Sequence, residues 1–110
     1  MLKEKITLNS LKRNCVRFRT SETWSHRLKK MEVCSWLYDN GYDFYTESEF
    51  KDGGRADIVA IGRGKIKEEF IVEVIESEKV ESIQRKKKLY PSEDIRVVRA
   101  TSQFNYEDIR

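Results

Sequence analysis

Between Ser21 and Asn40 apolar residues return every three or four positions: Trp24, Leu28, Met31 and Tyr38, with Ser35 in phase and Val33 and Leu37 beside them. That period predicts an α-helix from about Glu22 to Asn40. Ser21 suits the N-cap, and Glu22 suits a first turn whose free N–H groups favour negative charge. Asn40-Gly41 supplies the stop, because glycine enters the left-handed region at little cost. The stripe carrying Trp24 and Tyr38 is expected to be core, in preference to a platform for stacking bases.

Beyond Gly41 the apolar runs shorten to strand length. Tyr42–Glu47 reads as a strand, and Asp52-Gly53-Gly54 as the turn of a hairpin into a second strand that Asp57 opens. Gly62-Arg63-Gly64-Lys65 turns the chain again. The run from about Glu69 to Ile75 is nearly all apolar, which predicts a central strand covered on both faces. Ser77 then caps a second helix, about Glu78 to Leu89, stopped by Pro91. Val80 and Ile83 give that helix a narrow apolar stripe, and most of its surface is basic or polar. Ile95–Ala100 is the last strand, and a strand–helix–strand ending implies a parallel pair with a right-handed crossover. The expectation is an α/β fold of order α-β-β-β-α-β, a mixed central sheet flanked by helices. Residues 1–20 read as an N-terminal arm or short strands, and residues 21–110 as a single domain. Phe104 and Tyr106, in the tail, are positioned to pack back.

Two carboxylates interrupt the strand pattern. Asp57 lies in Gly54-Arg55-Ala56-Asp57-Ile58-Val59-Ala60, and Glu73 in Phe70-Ile71-Val72-Glu73-Val74-Ile75. A lone carboxylate among Ile and Val is costly to bury. Two of them on adjacent strands can share a divalent cation, which offsets that cost. Hard oxygen donors suit Mg²⁺ or Mn²⁺, and those ions suit phosphoryl chemistry. The competing account has Asp57 capping the Gly-Gly turn and Glu73 paired with Arg55 or a basic helix residue.

Composition adds limits. The chain has 110 residues, 37% of them charged, with a formal net charge of +3. That length supports one compact domain. The mild net charge matters less than local clusters, above all Arg85-Lys86-Lys87-Lys88. Cys15 and Cys34 are the only cysteines, neither in a Cys-x-x-Cys pair, and His26 is the only histidine, which argues against a structural zinc site. Cys34 reads as an apolar filler of the first helix. No apolar run reaches membrane-span length and no secretory signal is visible, so the expected location is the cytoplasm.

The element order together with Asp57 and Glu73 resembles the PD-(D/E)XK nuclease superfamily, which includes archaeal Holliday-junction resolvases, restriction endonucleases and small viral nucleases. The family pattern is an Asp at a strand start, a spacer, then Glu-x-Lys on the next strand. The resemblance covers roughly residues 21–100. It implies a restriction-endonuclease-like core and a metal-dependent DNA endonuclease, with Asp57, Glu73 and the main-chain carbonyl of Val74 around Mg²⁺ or Mn²⁺. Ile75 stands where the family has its lysine. A lysine from the second helix is expected to replace it: Lys79, Lys86 and Lys87 are nearest in sequence, with Lys86 and Lys87 taken as catalytic candidates and Gln84 as a further polar one. Arg55, Lys79, Gln84 and Arg85 to Lys88 are expected to hold DNA phosphates, which positions a backbone without reading bases.

The family glutamate of the first helix has no clear counterpart. Its place falls near Lys30, with His26 one turn earlier on the same face. His26 is read either as a substrate or water contact or as a surface residue. Glu47 is read as an exposed strand-end residue, ahead of its alternative as a further carboxylate near the site. By the same resemblance a homodimer acting on branched DNA is implied. The alternatives are a nuclease-fold DNA-binding protein without catalysis, consistent with Ile75, and a protein-interaction module.

Overall fold

The computed structural model describes residues 2–76, 90–91, 94–100 and 109. Two 3-10 turns, Leu2–Lys5 and Leu8–Ser10, precede a single described helix, α1 (Trp24–Asp39). Four strands follow: β1 (Tyr42–Glu49), β2 (Arg55–Gly62), β3 (Glu69–Ile75) and β4 (Ile95–Arg99). They form one sheet in the order β1-β2-β3-β4. The first two joins are antiparallel and the β3–β4 join is parallel, so the sheet is mixed. This is an α/β fold. The predicted helix of residues 78–89, and with it Lys79, Gln84, Arg85, Lys86, Lys87 and Lys88, lies outside the described residues, as do Phe104 and Tyr106.

The strands form where β-branched and aromatic runs are bounded by glycine turns. Gly53 and Gly54 take φ of +103° and +83°, which the β1–β2 hairpin requires and other residues resist. Both sheet faces are covered. On one, Val33, Cys34 and Leu37 of α1 pack on Phe44, Ile58, Phe70, Val72, Val74 and Val98. On the other, Leu2, Ile6, Phe50 and Tyr90 pack on Tyr45, Val59, Ile61 and Ile71. β3 is therefore buried along nearly its whole length, as its apolar run predicts. Residues 2–20, expected as an arm or short strands, form two single bridges, Ile6 with Phe50 and Arg13 with Tyr45, beside the two 3-10 turns.

Two details of α1 differ from expectation. Thr23, not Ser21, is the N-cap, its hydroxyl accepting from the His26 N–H at 3.2 Å. Glu22 is left outside the helix and turned inward. The expected core stripe is also on the wrong face: Trp24, Leu28, Met31 and Tyr38 are exposed. The inward face is instead His26, Lys30, Val33, Cys34 and Leu37, which keep the same helical spacing. Buried ion-pair partners draw Lys30 inside and so set the rotation of the helix.

Candidate functional site: a fork between β2 and β3

The β2–β3 ladder stops at Ile58↔Val72. The flanking ladders continue past that point, β1–β2 to Glu49↔Arg55 and β3–β4 to Ile75↔Arg99. The sheet thus forks into two prongs. Continuing the register by one rung places Asp57 opposite Glu73, so these are the first residues beyond the split. Both are buried, with 6% and 3% of their surface exposed. Asp57 Oδ2 accepts the Val74 N–H at 2.8 Å, satisfying a main-chain donor that the open ladder leaves. The single hydrogen of the Tyr90 hydroxyl is shared between two acceptors, the Glu73 carboxylate and the Arg55 carbonyl 2.8 Å away.

The N-terminal end of α1 closes one side of the fork. His26 places Nδ1 2.7 Å from Glu22 Oε2 and Nε2 3.0 Å from the Val74 carbonyl, with Asp57 Oδ2 3.5 Å away. An ionised carboxylate and a carbonyl can only accept, so both ring nitrogens must carry hydrogen. His26 is an imidazolium. Its hydrogen bond to Asp57, against the opposing effect of burial, raises its pKa from 6.5 to about 9. Burial alone would push the acids up. For Asp57, hydrogen bonds from His26 and the Val74 N–H help outweigh burial and hold it at about 2. For Glu22, the Arg19 N–H, Lys30 and His26 do the same, again to about 2.

A second layer lies behind Asp57. The segment before α1 is pinned along β1 by the Arg17 N–H to Thr46 Oγ1, 2.9 Å, and by Thr46 Oγ1 to the Cys15 carbonyl, 2.7 Å. That course brings Arg19 to Asp57 Oδ1 at 3.4 Å and to Glu47 Oε2 at 3.1 Å. Lys30 is fully buried, with Nζ 2.9 Å from Glu22 Oε1, 2.5 Å from Glu47 Oε1 and 2.9 Å from the Arg17 carbonyl. Glu47 sits opposite Asp57 in the β1–β2 register, at a rung that does not form, with φ of +49°. A glutamate in the left-handed region is strained. Burial raises its pKa, and Lys30 pulls it back. Three carboxylates, Glu22, Glu47 and Asp57, therefore meet three cationic side chains, Arg19, His26 and Lys30.

Of the residues expected at the site, Asp57, Glu73, Val74 and His26 do come together. The surface reading of His26 is not what the structure has: its side chain is 12% exposed. Glu47 is not an exposed strand end, since only 8% of it is exposed and it turns inward to Lys30. Arg55 pairs with Glu49 at 2.6 Å and not with Glu73. Ile75 is buried. Sequence reasoning missed Arg19, Glu22 and Tyr90, and met Lys30 only as the place of the family's helix glutamate. Lys30 had a signal, because it shares a helical face with Val33, Cys34 and Leu37; Arg19 and Tyr90 had none.

Among the described residues no group of three or more His, Cys, Asp or Glu side chains is arranged to hold a metal ion. The donors at the fork are two carboxylates and one carbonyl, all hard oxygens. Mg²⁺ is commonly held by one or two carboxylates while keeping several waters, so the set fits such an ion in chemistry and number. No helix among the described residues is long and apolar enough to cross a membrane. No family model, curated protein or solved structure matches this chain.

Proposed function

We propose that this chain is a metal-dependent phosphodiesterase acting on DNA, built on a restriction-endonuclease-like core. The observation that carries the reading is the fork: Asp57 and Glu73 face each other across the first open rung between β2 and β3, with the Val74 carbonyl beside them. Asp57, Glu73 and Val74 would hold Mg²⁺ or Mn²⁺. When bound, such an ion would make an attacking water more acidic and neutralise charge at the phosphate. His26 now donates to the Val74 carbonyl, so on this reading the imidazole gives up that contact on loading. Arg19, half exposed and reaching Asp57, is then placed to meet a phosphate. Lys86, Lys87 and their neighbours remain candidates for further phosphate contacts.

Calorimetry with Mn²⁺ tests the reading. Native protein should bind one ion and nick DNA with Mn²⁺ present; Asp57→Asn should lose both. Equal affinity in the two proteins would sink it.

Two observations favour a second reading, a nuclease-fold DNA-binding protein without catalysis. The His26 imidazolium already supplies positive charge between Asp57 and the Val74 carbonyl, and Ile75 leaves the motif without its lysine. DNA binding that persists with Mn²⁺ and never leads to cleavage would select it.

A further inference from the structure

The segment leading into the site carries an unusual charge and aromatic pattern. From Lys12 to Met31 there are seven Lys and Arg residues and one acid, Glu22, although the whole chain has 19 Asp and Glu against 22 Lys and Arg. Glu22 is buried against Lys30, so no carboxylate of this stretch reaches the surface. Lys12, Arg13 and Arg19 are exposed, Arg17 and Arg27 are half-buried, and Lys29 and Lys30 are buried, so five of the seven cations reach the surface. One carboxylate from outside the stretch, Glu76, accepts from Thr23 and Ser25 at its edge. Arg27 has no ion pair among the described residues, and its Nε is buried without a hydrogen-bond partner.

Two aromatic rings stand out from the same segment. Trp24 is 69% exposed and Phe18 43% exposed. Phe18 lies against Lys30, whose Nζ is 5.7 Å from the ring centroid, and directly precedes Arg19, which reaches Asp57. Trp24 follows the cap residue Thr23 and lies two residues before His26, which also reaches Asp57. Leu28 and Met31 extend the apolar strip along α1. Exposed rings set among cations are what a strand of unpaired nucleotides needs, since bases stack on the rings and phosphates meet the cations. A second copy of this chain would bring the same cations face to face, which disfavours self-association through this strip.

We infer that residues 12–31 form a binding surface for unpaired nucleotides, with Phe18 and Trp24 as stacking partners on the outer side of the segment whose Arg19 and His26 reach the fork. The inference rests on the nucleic-acid reading above and names its substrate class: DNA with a single-stranded segment. Stacking on aromatic residues tolerates any base, so the surface selects strandedness and not sequence.

Binding without metal separates this inference from catalysis. Anisotropy of an end-labelled single-stranded DNA oligomer, and of the same sequence as a duplex, gives the two affinities. The single strand should bind tighter, and tryptophan emission should be quenched at saturation in the native chain but not in Trp24→Ala, which keeps Trp36. Trp24→Ala and Phe18→Ala should each weaken single-strand binding about tenfold and leave duplex binding nearly unchanged. Their salt slope should match the native slope, whereas Arg27→Gln should flatten it. Trp24 is a surface residue, so its variant should fold, and circular dichroism checks this. Unchanged single-strand affinity in both aromatic variants overturns the surface. So does equal weakening for strand and duplex. A native dimer in sedimentation that Trp24→Ala splits overturns it too, because the strip would then be a protein interface. A native chain that binds the strand in this way yet never cleaves it leaves the surface standing and removes the nuclease.

Discussion

Asp57 Oδ2 accepts the main-chain N–H of Val74 at 2.8 Å, just where the β2–β3 ladder opens. One side chain thus caps a main-chain donor and faces Glu73 across the fork. It also stands 3.5 Å from the His26 ring. The Asp57 carboxylate is the point at which sheet geometry and site electrostatics meet.

The first prediction follows from that contact. His26 is the only histidine, so its ring signals in a proton NMR titration are unambiguous. They should titrate at about 9 in the native chain. In Asp57→Asn the principal cause of the rise is gone, and the midpoint should fall toward the ordinary 6.5.

The same pair sets a pH dependence of stability. His26 has a folded pKa above its unfolded value, so its contribution is complete below pH 6.5 and is lost as pH rises through about 9. The difference corresponds to roughly 3 kcal/mol at most. Asp57 and Glu22 are depressed, so their contribution is present above their ordinary values and is lost as pH falls toward about 2. These are two ends of one set of interactions and do not add. Urea midpoints measured from pH 6 to 10 should decline for the native chain, and His26→Gln should flatten that decline.

Much of the sheet is legible in sequence, because strand length, glycine turns and β-branched runs are local signals. Asp57 and Glu73 are legible for a related reason: an acid within an Ile/Val strand contradicts its surroundings. The phase of α1 is not legible. Trp24, Leu28, Met31 and Tyr38 make a more apolar stripe than His26, Lys30, Val33, Cys34 and Leu37, yet the second set is inward. Lys30 is satisfied by Glu22 and Glu47, and His26 by Glu22, Asp57 and the Val74 carbonyl. Apart from Glu22 these partners lie beyond the helix in sequence, so no helical periodicity can announce them.

That rotation is testable by substitution. Leu37→Ala empties a fully buried position and should cost about 2–5 kcal/mol. Met31→Ala, on the exposed face, should stay within about 0.5 kcal/mol. A helix seated on its apolar stripe would give the reverse ranking in chemical denaturation.

Lys30→Met isolates the buried ion pairs. Methionine keeps most of the side-chain volume, but Glu22 and Glu47 lose the ammonium between them. Removing one partner of a buried pair typically costs about 3–5 kcal/mol. Glu47 already has a raised pKa, so it should take up a proton in the variant, and the loss should shrink at acidic pH. A variant as stable as the native chain at pH 8 would mean that Lys30 is not held as described.

The last prediction uses Tyr90, which has one hydroxyl hydrogen, placed within reach of both Glu73 and the Arg55 carbonyl. Tyr90→Phe keeps the ring that packs on Phe50 at 5.6 Å and removes only the donor. A hydrogen bond to a buried carboxylate contributes about 1.5–3 kcal/mol, so the variant should melt lower. The freed Glu73 oxygen then has one competitor fewer for a cation. If Asp57 and Glu73 share a divalent ion, Mn²⁺ should raise the melting temperature of Tyr90→Phe more than that of the native chain, since a ligand stabilises in proportion to its affinity for the folded state. Adding Asp57→Asn should abolish the Mn²⁺ response without restoring the lost stability. A Mn²⁺ shift identical in Tyr90→Phe and the double variant would place the ion elsewhere and leave the fork to its internal cations.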